Sequence, residues 1–162
     1  MLELAHGRSV GMGIEMKYVL GPILDPDKPL TLQNRIPFPD ESADMIISHG
    51  SMHHWGGGVE NPKASMIMLN ELHRMLKPGG RMLVYDINPD AILTRLITTF
   101  HLMGFVGGNY QDKAFSHSVN HSFDINKVAM VVKDCGFNNY KIYRAKPLFP
   151  VGLVFFVLEI RK

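Results

Sequence analysis

The sequence is poor in cysteine. Cys135 is the single one among 162 residues, so no internal disulfide can staple the fold and nothing demands an oxidising compartment. Long hydrophobic runs are missing as well. The most apolar late stretch, Val151 to Ile160, falls well short of the roughly 20 residues that span a bilayer. Glu3, His6 and Arg8 break up the start before the apolar centre of a signal peptide can form. Nor does charge of one sign dominate: 17 Lys and Arg against 15 Asp and Glu leave a net charge of +2. With no basic stripe and no aromatic ladder, a nucleic-acid partner has no footing. No internal repeat or low-complexity linker divides the chain, so residues 1–162 are expected to form one soluble, cytoplasmic domain with no membrane partner.

What is present is an alternation of strand and helix signals. Ala43 to Ser48 is a short apolar run ending near Gly50, which suits a buried strand. Asn61 is a good N-cap, and Pro62 stands at the first helical position, where its missing N–H costs nothing. Ala64, Met68, Leu72, Met75 and Leu76 then repeat at helical spacing, with Glu71, His73, Arg74 and Lys77 mostly on another face. Pro78-Gly79-Gly80 is expected to stop that helix. Arg81 to Asp86 follows as a second buried strand with a carboxylate at its end. Asp90 is placed to cap an apolar helix through Ile92, Leu93, Leu96, Ile97 and Phe100; Ala91 to Met103 would cover the core or lie over a pocket. Gly104 to Asn120, with Gly107-Gly108, reads as a mobile loop. A last helix runs from about Asp124, with Ile125, Val128, Val132 and Cys135 inward, to Gly136. Tyr140 to Ala145 and Leu153 to Ile160 read as strands whose link is too short for a helical crossover, hence antiparallel.

Three of these segments carry a resemblance. Ile36-Pro37-Phe38-Pro39-Asp40-Glu41-Ser42-Ala43-Asp44-Met45-Ile46-Ile47-Ser48 resembles the loop and fourth strand of class I S-adenosylmethionine-dependent methyltransferases. Gly50-Ser51-Met52-His53-His54-Trp55 looks like the loop after that strand, and Asn70 to Asp86 resembles the helix, Lys-Pro-Gly-Gly turn and fifth strand. Their order and spacing make the joint signal strong. The resemblance implies an α/β fold: a doubly wound, mostly parallel sheet of Rossmann-like type with an antiparallel last strand. The implied donor is S-adenosylmethionine and the implied acceptor a small molecule.

The first 35 residues fit that pattern poorly, so the N-terminal strand–helix unit reads as incomplete. Two registers are open. In one, Arg8 to Ile14 is the second strand and Glu15 holds the cofactor ribose, with the glycine-rich turn absent. In the other, Glu3-x-Ala5-x-Gly7-x-Ser9 is a worn version of that turn, and a later strand–helix unit is missing. Losing the central first strand would leave unpaired backbone, so either a partner chain fills the gap, as in a homodimer, or the remaining strands close up.

Open α/β sheets bind ligands beyond the carboxyl ends of their strands. By resemblance, Glu15, Gln33 and Asn34 would bind the cofactor, Gln33 and Asn34 with an amide where the family has an acid after its third strand. Ser48, His49 and Gly50 would line its cleft. His53 and His54 would face the substrate, where a neutral imidazole can take a proton. Asp86 would face the substrate or cap the loop. The Lys-Pro-Gly-Gly turn sits at the opposite edge and reads as structural. Gly56-Gly57-Gly58 lacks the context of a phosphate loop and reads as flexible. His117 and His121, four apart, lack a completing ligand cluster, so no metal is expected. The alternative function is a catalytically incompetent module, or a truncated fragment, acting through protein–protein association.

Overall fold

The computed structural model describes residues 35–56, 58–144 and 155–162. Four strands form one sheet: β1 (Ala43–His49), β2 (Leu76–Ile87), β3 (Tyr140–Arg144) and β4 (Phe155–Arg161), in the order β1-β2-β4-β3. β1 and β2 run parallel, and β4 is antiparallel to both β2 and β3. Three strands therefore share one direction, and the last is inserted against it. The helices are α1 (Pro62–Met75), α2 (Ile92–Thr99), α3 (Leu102–His121) and α4 (Ile125–Asp134). No helix among the described residues is long and apolar enough to cross a membrane.

The core sits on one face of this sheet. Met82 and Val84 of β2 and Phe156, Leu158 and Ile160 of β4 meet Leu69 of α1 and Val128, Val131 and Val132 of α4. Alternation puts successive strand side chains on opposite faces, so Met45, Ile47, Leu83, Tyr85 and Tyr143 lie on the other. There Met45 is 42% exposed and Ile47 63% exposed. Asp124 caps α4 by accepting from the Lys127 N–H at 2.9 Å. Gly136, at φ +79°, follows where the helix stops.

Several expectations change. Gly104 to Asn120 is not a loop but most of α3, broken at Gly108, whose φ of 72° and ψ of −176° interrupt the helix without ending it. Asp90 does not cap α2; Ala91 holds that position, while the Asp90 carboxylate accepts from Arg95 at 2.7 Å. The apolar stretch from Ala91 to Met103 divides at His101 into two helices packed on one another. Asn61 is the N-cap of α1 by position alone, because its side chain makes no capping bond.

α1 ends at Met75, before Pro78 is reached: Leu76 is already extended, and the Lys-Pro-Gly-Gly run belongs to β2 as an irregular first stretch. The residue preceding a proline is biased toward extended backbone, so the chain straightens early. Gly80 has no room for a side chain, since a Cβ would stand 2.9 Å from the Lys77 carbonyl oxygen. This turn lies at the amino end of β2, where Gly79 donates to the Lys162 carbonyl at 3.0 Å.

Candidate active site

The parallel strands β1 and β2 end side by side, with His49 in register with Tyr85. Beyond β1, Gly50 turns the chain at φ +60° and donates its N–H to the Tyr85 carbonyl at 2.8 Å. Among the described residues, no heavy atom beyond its own chain neighbours lies within 4 Å of where a Gly50 Cβ would stand. Ser48 is half-buried, its hydroxyl bonded to that of Ser51. His49 is exposed, its ring 6.1 Å from Tyr85 and 5.6 Å from Phe155. Ser48, His49 and Gly50 are thus brought together at the carboxyl edge. Glu15, Gln33 and Asn34 lie outside the described residues.

A single 3-10 turn, Met52–His54, carries the two candidate histidines. Its first residue, Met52, is fully buried in the core and pins the turn to the sheet. The histidines then part company. His53 is 4% exposed and His54 is at the surface. At the end of β2, Asp86 is 2% exposed, and its carboxylate accepts three hydrogen bonds. Oδ1 accepts from His53 Nδ1 at 2.6 Å and from the Ile87 N–H at 2.7 Å. Oδ2 accepts from the His53 N–H at 2.8 Å. Burying a carboxylate without such partners would cost several kcal/mol, roughly; here backbone and imidazole supply them. Of the two roles expected for Asp86, its bonds fill that of fastening the loop.

The His54 ring lies 4.0 Å from that of His53, centroid to centroid. Burial, and then the neighbouring His53, holds His54 below the usual histidine range; Asp86 opposes this, and His117 and His121 add to it. Its neutral form is favoured at neutral pH. His117 and His121 stand on α3 with ring centroids 4.1 Å apart, and the described residues hold no group of three or more His, Cys, Asp or Glu arranged for a metal. Burial, with Asp134, pushes the Cys135 thiol up to about 11, so the thiol form is favoured at neutral pH.

The Gly-rich run after the turn is a matter of close approach rather than flexibility. At Gly58, φ +59°, a Cβ would stand 2.2 Å from the His121 carbonyl oxygen and 2.6 Å from that of His53. The end of α3 can therefore seat against the histidine turn only across a glycine. At Gly56 a Cβ would meet the Ala64 Cβ at 2.4 Å.

At the far edge of the sheet, the Ile36–Ser42 segment is fastened by Arg74. Its guanidinium donates to the Ile36 and Phe38 carbonyls, to Asp40 and to Glu71. Glu71, only 2% exposed, also accepts from Arg35 at 3.0 Å. Helical periodicity put Glu71 on an outer face; burial there is made tolerable by Arg74, one turn on in the same helix, and by Arg35, thirty-six residues away in the chain. Burial raises the Glu71 pKa, but Arg74 and Arg35 outweigh it and the net shift is downward. Periodicity missed this clamp and the Asp86–His53 bond, because each is completed by a partner more than thirty residues away.

The residues at the carboxyl edge fit a nucleoside-type donor. Gly50 offers open, side-chain-free backbone, and Ser48 a hydroxyl beside it.

A profile of the methyltransferase domain family matches residues 2–84, half of the chain. The chain belongs to that family. Over 52 residues it is 42% identical to the uncharacterized protein YafE of Escherichia coli K12, spanning 32% of this chain and 22% of that one. An S-adenosylmethionine-dependent methyltransferase of Aquifex aeolicus superposes with a TM-score of 0.54 at 17% identity, covering 97% of this chain and 61% of its own. One from Thermotoga maritima gives 0.52 at 18% identity, covering 79% and 60%. At these identities the two structures speak for the fold, and this chain spans under two thirds of each.

Proposed function

We propose that the chain is one methyltransferase domain, acting in the cytoplasm, that transfers the methyl group of S-adenosylmethionine to a small-molecule acceptor. The observation that carries this reading is the meeting of Ser48, His49 and Gly50 with the His53–His54 turn and Asp86 at the carboxyl ends of parallel β1 and β2. When bound, the donor supplies a methyl group on a sulfonium sulfur. Gly50 lets its backbone come close, and Ser48 and His49 line the cleft. Glu15 holds the ribose, and Gln33 and Asn34 face the adenine. The His53–His54 turn borders the acceptor. In-line displacement gains chiefly from holding the two reactants together.

Titration calorimetry of the whole chain with S-adenosylhomocysteine tests this. Binding in the micromolar range, abolished by Glu15→Ala, is expected. A folded chain that binds nothing would overturn the reading.

A second reading, association between copies, is favoured by the apolar side chains Met45 and Ile47 standing exposed on one sheet face. Sedimentation equilibrium would then give a dimer that Ile47→Lys dissociates; a monomer at all concentrations would remove it.

A further inference from the structure

The buried Asp86–His53 pair does more than fasten a loop. Both Asp86 oxygens are taken by N–H donors, and one of these is the imidazole Nδ1. A ring that gives its Nδ1 proton to a carboxylate keeps its lone pair on Nε2. A flipped ring would forfeit the buried bond from Nδ1 to Asp86, while the same carboxylate also anchors the His53 backbone N–H. Gly58 packs so close that a Cβ there would stand 2.6 Å from the His53 carbonyl oxygen. The exposed His54 ring lies beside it, tilted by 46° at 4.0 Å between centroids. A fixed proton acceptor beside a buried carboxylate is therefore built into the turn that borders the acceptor site.

We propose that Asp86 is a positioning residue that holds His53 Nε2 as a general base, and that the acceptor is accordingly a hydroxyl compound. This rests on the methyltransferase reading above. A hydroxyl oxygen is a weak nucleophile until its proton leaves. As the C–O bond forms, the S–CH3 bond breaks and its electron pair stays on sulfur, giving the thioether S-adenosylhomocysteine. The O–H proton passes to His53 Nε2, and the resulting imidazolium is stabilised by the Asp86 carboxylate. An amine that has given its ammonium proton to solvent attacks with its own lone pair and loses its remaining proton after the C–N bond forms, so a base fixed at the site serves a hydroxyl more than an amine.

Nitrogen-15 NMR of the histidine side chains in the full chain gives a readout independent of turnover. The expected result is a neutral His53 with its proton on Nδ1, a signature lost in Asp86→Asn. A His53 protonated on Nε2 instead overturns the proposal. His53→Asn keeps an amide N–H for Asp86 but has no Nε2. It should fold and bind S-adenosylhomocysteine within about threefold of the parent, while methyl transfer to catechol falls about 100-fold or more, the range of general-base catalysis. Full activity in His53→Asn, or transfer to benzylamine with none to catechol, phenol or benzyl alcohol, overturns it. So does a chain that binds S-adenosylhomocysteine yet methylates none of these. Loss of that binding in the parent would instead strike the methyltransferase reading itself.

Discussion

The two faces of the sheet are made of similar residues but are covered unequally, even though Val157 is buried on the less covered one. On one, Met82, Val84, Phe156, Leu158 and Ile160 are sealed under α1 and α4. On the other, Met45, Ile47 and Tyr143 remain between 42% and 63% exposed, although they are as apolar as their hidden neighbours. Sequence alternation alone does not separate them, because a strand of a doubly wound sheet is apolar on both sides. What separates them is which helices arrive. Among the described residues, the helices that enter the core arrive on one side. Stability and chemistry both follow that asymmetry, since Met52, which carries the histidine turn, is buried on the covered side.

The sharpest way to break the comparison is a truncation on each face. Phe156→Ala removes a fully buried ring and should cost about 3–5 kcal/mol of unfolding free energy by chemical denaturation. A loss under about 1 kcal/mol would mean that the covered face is not the source of stability. Next in size is Glu71→Ala, which leaves Arg74 and Arg35 facing an empty buried site. It should cost about 3 kcal/mol and free the Ile36–Ser42 segment, raising its proteolysis rate.

Acidification should weaken the covered side. The folded-state pKa of Glu71 is lowered from the ordinary 4.5, so its contribution is present above that value and lost as the pH falls through the folded one. His73 is lowered from 6.5, by burial first and then by Lys162. The unfolded chain thus begins to take up that proton near pH 6.5 before the folded chain does, and stability declines from there downward. Thermal melts between pH 7 and 4 should show this fall. Glu71→Gln should flatten its lower part, and an unchanged slope would count against the arginine clamp.

How much of this was legible in the sequence depends on the range of the interaction. β1, β2, α1 and α4 were readable because caps, breakers and apolar spacing act within a few residues. The Asp124 cap of α4 is such a case. α3 was missed because two adjacent glycines imitate a loop, whereas the helix only breaks at Gly108 and resumes. The site was legible as a set of residues but not as an arrangement. Nothing local tells that His53 turns inward and His54 outward; that follows from Asp86, thirty-three residues away in the chain. Gly58 likewise reads as flexible until the His121 carbonyl is placed against it.

The smallest expected effect is the one that sharpens the comparison most. Ile47 is 63% exposed, so Ile47→Thr removes little buried area and keeps a β-branched residue suited to a strand. Exposed substitutions of this kind usually fall within about 0.5 kcal/mol. Placed beside Phe156→Ala, that difference measures how far the two faces differ in what they contribute to folding. If Ile47→Thr instead costs 2 kcal/mol or more, roughly the scale of a buried isoleucine truncation, Ile47 is covered in solution. The sheet would then be two-sided, and repeating the denaturation at several protein concentrations would separate the origins: a cost that grows with concentration comes from a second copy, and one independent of concentration from the chain itself.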